Sequence, residues 1–134
     1  MTETSTDAPA QYQGCRVLIV DDNHDAADTF AILLRMASCR VLVAYDAMSG
    51  IEIAHTLLPD FIFHDVGMPT INGYAAARLF RKQEKFAKTV LVAVTAYDST
   101  SDRRRAVNAG FDIHLSKPVD LEDITDLLGR GRPG

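Results

Sequence analysis

The sequence predicts an α/β protein: a doubly wound, five-stranded parallel sheet with helices on both faces. Three observations carry this. Short runs of β-branched and aliphatic residues alternate five times with segments whose apolar residues recur at helical spacing. The strand runs are apolar throughout rather than alternating, the pattern of strands covered on both faces. Four of the five runs lead to acidic, hydroxyl or ammonium residues, and ligands of such sheets bind beyond the carboxyl ends of the strands. At 134 residues, 47% of them hydrophobic, the chain fits one domain with a sizeable core.

The elements follow in order. Arg16 to Val20 is an apolar β-branched run that stops at an acidic pair, so it reads as a buried first strand. Ala26 to Ala37 places Ala27, Phe30, Leu33, Leu34 and Ala37 at helical spacing, with Asn23 available as a cap. Val41 to Ala44 is the second strand. Met48 to Leu58 is the second helix, stopped by Pro59. Phe61 to Asp65 is a third strand that ends on an acid, followed by a helix over Tyr74 to Lys82. Val90 to Val94 carries the strongest strand signal and ends on Thr95. A fourth helix from about Ser101 to Asn108 is closed by Gly110. Ile113 to Leu115 is a brief fifth strand, and Leu121 to Leu128 a short fifth helix. Residues 1–14, rich in Thr, Ser, Ala, Pro and Gln, read as a disordered lead. The domain then covers residues 15–129. The Gly- and Arg-rich end reads as a tail over residues 130–134 that does not continue a helix. With the chain ending soon after the fifth helix, no output domain is expected.

Composition excludes several classes. The net charge of −4, from 14 basic and 18 acidic side chains, gives no bulk attraction to nucleic acid or acidic lipid. No apolar run approaches the roughly 18–20 residues that span a membrane, and the N-terminus lacks a basic-then-apolar secretion signal. Cys15 and Cys39 form no metal-type cluster. Each precedes a strand, and those strands should be parallel neighbours, which would put the Cα atoms about 5 Å apart, within disulfide range. In the cytoplasmic, reducing location that the composition favours, free thiols are the expectation.

The chemistry gathers at the strand ends. Asp21 and Asp22 close the first strand, Asp65 the third and Thr95 the fourth, while the fifth leads to Lys117 and Pro118. Three carboxylates held together repel one another, and a hard divalent cation removes that conflict. Mg²⁺ suits such a set, because it takes oxygen ligands, keeps several waters and shares phosphate oxygens. Lys117 adds a positive charge beside Asp65, and Thr95 a donor. The pocket is built for an anion arriving at a carboxylate, and a phosphoryl group is the natural candidate.

On these residues the chain resembles the receiver domains of two-component response regulators. The resemblance covers Arg16 to about Leu128. It rests on Asp21-Asp22-Asn23, Asp65-Val66-Gly67-Met68-Pro69, Asn72-Gly73-Tyr74, Val94-Thr95-Ala96, Ala109-Gly110-Phe111-Asp112 and Lys117-Pro118-Val119-Asp120. It implies the flavodoxin-like strand order 2-1-3-4-5. It implies that Asp65 is the phosphoacceptor, supplied by a sensor histidine kinase or a histidine phosphotransfer protein. Asp22, Asp65 and the backbone carbonyl of Gly67 would bind Mg²⁺ directly, or Mn²⁺ in its place, and Asp21 through water. Lys117 would contact the phosphoryl oxygens. Thr95 would move toward the phosphoryl group and couple it to the face of helix four, strand five and helix five. There an unknown downstream protein, or a second copy of the chain, would dock. The resemblance leaves open a direct output role and a role as phosphate relay or sink.

The sequence departs from the family pattern at three places. His114 stands three residues before the lysine, where Tyr or Phe is common. His64 precedes the acceptor, where an apolar residue is usual, and Asn72 stands where many relatives carry Asp. An unperturbed imidazole titrates near pH 6.5. A neutral ring enters packed space more easily than a charged one, so His114 would tie the switch to pH, or serve only as a flat spacer. His64 reads as a satisfied core histidine and His55 as a surface residue. Arg103, Arg104 and Arg105 read as a solvated helix face or a docking patch for an acidic partner. The Lys117-Pro118 bond is expected to be cis, so that the lysine turns back toward Asp65.

Two rival readings are weighed on residues. A haloacid-type phosphohydrolase would need a second acid two residues after Asp65, where Gly67 stands. The chain is therefore expected to catalyse only its own phosphoryl transfer and dephosphorylation. A flavin module would need a Ser/Thr/Gly-rich loop after the first strand, where the acids would instead repel phosphate. Gly67 also offers no side chain to hold a hydrolytic water, and Tyr97 would cover its approach, so a long-lived phosphoryl group is expected.

Overall fold

The computed structural model describes residues 15–96 and 99–130. The expected lead over residues 1–14, the tail from residue 131 and the covering role of Tyr97 lie outside the described residues. Five strands, β1 (Arg16–Val20), β2 (Arg40–Ala44), β3 (Phe61–Asp65), β4 (Val90–Thr95) and β5 (Ile113–Ser116), alternate with five helices. The helices are α1 (His24–Met36), α2 (Ala47–Leu57), α3 (Gly73–Arg81), α4 (Thr100–Ala109) and α5 (Leu121–Arg130). The sheet is parallel in the order β2-β1-β3-β4-β5, as the resemblance implies.

The three central strands, β1, β3 and β4, are apolar nearly throughout because both of their faces are covered. Leu18, Val20, Ile62, Leu91 and Ala93 face Ala54, Ala76, Phe80, Ala106 and their neighbours on α2, α3 and α4. Val17, Ile19, Phe61, Phe63, Val90 and Val92 face Ala27, Ala31 and Leu34 of α1 and Ile124, Leu127 and Leu128 of α5. Each fully buried Leu, Ile or Phe contributes about 1.5–3 kcal/mol through the apolar surface it removes from water.

Side-chain caps set the helix starts. Asn23 accepts from Ala26 N (3.0 Å), Asp46 from Ser49 N (2.8 Å) and Asn72 from Ala75 N (3.0 Å). Ser99 and Asp102 form a reciprocal capping box at α4. The first four helices thus begin one or two residues earlier than apolar periodicity alone predicts, since the first turn is polar and the cap fixes it. A 3₁₀ turn over Glu84–Phe86, which the sequence reading did not include, drops Phe86 into the core. The expected helix stop before Gly129 is corrected: α5 runs through Gly129 to Arg130. A glycine costs a helix about 1 kcal/mol, which packing of Ile124, Leu127 and Leu128 outweighs.

The Ala109-Gly110-Phe111-Asp112 motif has a structural role. Gly110 ends α4 at φ 113°, and a Cβ there would lie 2.6 Å from Arg81 Cγ. Arg81 Nε donates to the Gly110 carbonyl (2.9 Å) and Nη1 to the Phe86 carbonyl (2.9 Å). Its Nη2 pairs with Asp112, whose carboxylate also accepts from Leu91 N (2.9 Å). One guanidinium thus ties the end of α3 to the α4–β5 turn and the start of β4. This clamp lies at the sheet end opposite the acidic residues.

Candidate phosphoacceptor site

Parallel register delivers the strand-end residues to one edge. Val20 pairs with His64, and Asp65 with Val94, so the residues that leave β1 and close β3 are neighbours. Oxygens of Asp21, Asp22 and Asp65 come within 4.8 Å of one another. Lys117 follows β5, its N–H donating to the Thr95 carbonyl (2.9 Å). The Lys117-Pro118 bond is cis, as expected. Lys117 Nζ lies 3.3 Å from Asp21 Oδ2 and 3.5 Å from Asp65 Oδ1. Thr95 is buried at the end of β4, pairing with Ser116.

Each acid is differently placed. Asp21 is buried and accepts from Asn23 N (3.0 Å), which aims its second oxygen at Lys117. Asp22 is exposed. Asp65 is half-buried and accepts from Gly67 N (3.3 Å). Burial first, and the charge of Asp21 second, raise the Asp65 pKa above the ordinary carboxylate range; Lys117 and the Gly67 N–H oppose this. Three carboxylates against one ammonium leave the pocket short of positive charge. All-oxygen donors with a surplus of negative charge fit a hard divalent cation. Among the described residues, no histidine joins this group.

His64 is buried, its Nδ1–H donating to the Asp65 carbonyl (2.9 Å), and burial pushes its pKa down to about 4. It is thus the neutral core histidine that the sequence suggests. His114 on β5 pairs with Ala93 on β4, and Ala93 pairs with His64 on β3, so both imidazoles share one row and one face of the sheet. Both ring nitrogens of His114 are out of reach of solvent. His55 is exposed, against Lys85 Nζ (3.0 Å). Of the three arginines on α4, Arg105 is partly absorbed by the fold, its guanidinium 4.3 Å from the centre of the Tyr74 ring.

Sequence reasoning missed three features. Gly73 N donates to the Val66 carbonyl (3.0 Å), and a Cβ on Gly73 would lie 2.8 Å from the Asp65 carbonyl oxygen. The Asn72-Gly73 pair was therefore the available signal for a helix packed directly behind the acceptor. His24 stacks on Tyr45 at 3.7 Å, and the Tyr45 hydroxyl donates to Asp28 (2.6 Å), forming a rim beside Asp22. Next to it lies a groove of about 280 Å³, lined by Asp22, Tyr45, Met48, Met68, Pro69 and Ile71 among others. No local pattern marks either, because their members come from different loops.

Comparison with known proteins agrees with this geometry. The regulator RpaA of Synechocystis, a DNA-binding dual master transcriptional regulator, is 32% identical over 109 residues, covering 81% of this chain and 45% of that protein. Protein PilG of Pseudomonas aeruginosa is 27% identical over 114 residues, covering 85% of this chain and 84% of PilG. The chain thus spans about half the length of the first and most of the second. The chemotaxis protein CheY4 of Vibrio cholerae has the same fold, with a TM-score of 0.82, 26% identity and coverage of 87% of this chain and 97% of that one. The receiver domain of sensor histidine kinase PA1611 of Pseudomonas aeruginosa, solved with a magnesium ion coordinated in its active site cleft, gives 0.79, 29%, 87% and 96%. A co-crystal structure of the Saccharomyces cerevisiae histidine phosphotransfer protein Ypd1 with the receiver domain of its downstream response regulator Ssk1 gives 0.78, 27%, 87% and 88%. Residues 17–129 match the response regulator receiver domain along their whole length, and this chain belongs to that family of two-component signalling domains.

Proposed function

We propose that Asp65 is the phosphoacceptor and that the chain works as a phosphorylation-driven switch. The observation that carries this is the placement of Lys117 Nζ within 3.5 Å of both Asp65 and Asp21, at an edge that also gathers Asp22 and Thr95. The donor is a phosphohistidine on a sensor histidine kinase or a histidine phosphotransfer protein; the pairing of a similar receiver with Ypd1 supports this. An Asp65 oxygen bonds to phosphorus, the N–P bond breaks, and the histidine leaves with the electron pair.

Asp22 and Asp65, with the backbone carbonyl of Gly67, would hold Mg²⁺, and Asp21 would act through water; Mn²⁺, which also favours oxygen donors, would substitute. When bound, the cation supplies charge that offsets repulsion between the carboxylates and the incoming phosphoryl oxygens. The chain's own residues do the positioning. The Gly67 N–H fixes one Asp65 oxygen, and Asn23 N fixes Asp21 so that its second oxygen holds Lys117. Lys117 then meets a phosphoryl oxygen as a point charge. Thr95, moving toward the phosphoryl group, and His114, whose ring enters the space that Thr95 vacates, are the coupling residues, altering the face formed by α4, β5 and α5 for a downstream protein or a second copy of the chain. With Gly67 where a hydrolase would carry its second acid, the chain catalyses only its own phosphorylation and dephosphorylation. The reading requires neither nucleic acid nor membrane. Among the described residues no helix is long and apolar enough to cross a bilayer, and we place the activity in the cytoplasm.

The test is labelling with an acyl-phosphate donor. The wild-type protein takes up one phosphoryl group in the presence of Mg²⁺ and none in a chelator, and Asp65→Asn takes up none while keeping its circular dichroism spectrum. Undiminished labelling of that variant would overturn the assignment.

A further inference from the structure

The amino-terminal end of the sheet, opposite the acidic cluster, carries a second group of reactive side chains. β1 and β2 run parallel with Arg16 opposite Arg40, so Cys15 and Cys39, each one residue earlier, are cross-strand neighbours. Arg40 N donates to the Cys15 carbonyl at 2.8 Å, which holds the two backbones at ladder distance up to the cysteines themselves. Both side chains pack on the same face of the sheet, in the core beneath α1 and α5. Adjacent strands lie about 4.8 Å apart, and disulfides span Cα separations of about 4.4–6.8 Å. Both residues are reduced thiols in the structure.

The two thiols differ in a useful way. Cys15 is half-buried, whereas Cys39 is only 6% exposed. A hydrogen bond from the Cys15 thiol lowers the Cys39 pKa, against burial and the nearby Asp60 carboxylate, which raise it. Cys15 is the more exposed of the two, and the cross-strand register leaves Cys39 beside it as the resolving partner once Cys15 has reacted.

We propose that Cys15 and Cys39 form a dithiol modification site, closed to an intramolecular disulfide by a low-molecular-weight disulfide such as oxidised glutathione. The Cys15 thiolate attacks one sulfur of the oxidant, giving a mixed disulfide and releasing one glutathione thiolate. Cys39, deprotonated, then attacks the Cys15 sulfur and expels the second. Two protein thiols are oxidised, one oxidant disulfide is reduced to two thiols, and two protons pass to solvent or thiolate. The closed bond would fasten the start of β1, where residues 1–14 join the domain, to the turn before β2.

The experiment exposes the full chain to oxidised glutathione, quenches with an alkylating agent, and reads the intact mass and the non-reducing peptide map. The expected product is a monomer two hydrogens lighter than the reduced protein, with no alkylatable thiol and a Cys15–Cys39 cross-linked peptide, all reversed by a dithiol reductant. Cys39→Ala should stop at a stable glutathione adduct on Cys15. Cys15→Ala, which leaves only the buried thiol, should stay unmodified for as long as wild type takes to close. The proposal is overturned if wild type accumulates a glutathione adduct with Cys39 still alkylatable. It is equally overturned if wild type gives a disulfide-linked dimer or does not react.

Discussion

Replacing Gly73 with alanine tests how the acceptor is held. Gly73 is the first residue of α3, and its N–H donates to the carbonyl of Val66, the residue after Asp65. An added Cβ would lie 2.8 Å from both the Asp65 carbonyl oxygen and Val66 Cα, and 3.3 Å from the Asp65 carbonyl carbon. Ordinary contact begins at 3.4 Å, so the backbone behind the acceptor must retreat by about 0.6 Å. All three neighbours are main chain, and β3 is paired on both sides, so no rotamer change relieves the clash. Overpacking of this kind costs about 1–3 kcal/mol, which for a domain of this size lowers Tm by roughly 4–12 °C. A misplacement of about 1 Å costs catalysis about a hundredfold, so the smaller displacement here should slow phosphorylation about tenfold. The assays are thermal unfolding and the rate of labelling by an acyl phosphate at saturating Mg²⁺. Gly67→Ala is the control, because a Cβ there meets nothing within 4 Å. Wild-type Tm and labelling rate in Gly73→Ala, or equal damage from Gly67→Ala, would refute the reasoning.

Other outcomes follow from the same geometry. The raised Asp65 pKa means that the folded state binds a proton more readily than the unfolded chain. Without divalent cation, stability should therefore fall as pH rises from the ordinary carboxylate range through the folded pKa. Melting curves in chelator should show this slope flattened in Asp65→Asn and by added Mg²⁺, and parallel slopes would show that burial and Asp21 do not act as described. Gly67→Asn places an amide in open space beside the acceptor and should shorten the phosphoryl lifetime several-fold. An unchanged decay rate would mean that the missing side chain is irrelevant to hydrolysis. Arg81→Ala removes donors to two carbonyls and the partner of Asp112, and should lower stability by about 2–4 kcal/mol in chemical denaturation without slowing labelling. A loss below about 0.5 kcal/mol would mean that the clamp is not stabilising.

By itself the sequence determined the order of strands and helices, because continuous apolar runs and 3.6-residue periodicity are local signals. It also determined which residues stand at the strand ends, since Asp21, Asp22, Asp65, Thr95 and Lys117 each follow directly from where a run stops. Resemblance supplied the strand order, which local patterns leave open. Helix starts were less legible: apolar spacing begins inside each helix, whereas Asn23, Asp46, Asn72 and Ser99 cap it from outside. The end of α5 was misjudged because propensity disfavours Gly129, while burial of Ile124, Leu127 and Leu128 decides in favour of the helix.

Only the tertiary structure decided what meets across the chain. Asp21 and Lys117 are 96 residues apart in sequence and 3.3 Å apart in space. The closeness of Gly73 to the Asp65 backbone, the clamp from Arg81 to Asp112 and the contact of Arg105 with Tyr74 likewise join separate elements. The physical reason is that a residue's type and neighbours report its local conformation. Distances between elements are set by packing two layers of helices onto one twisted sheet, a sum over many weak contacts that no single stretch of sequence contains.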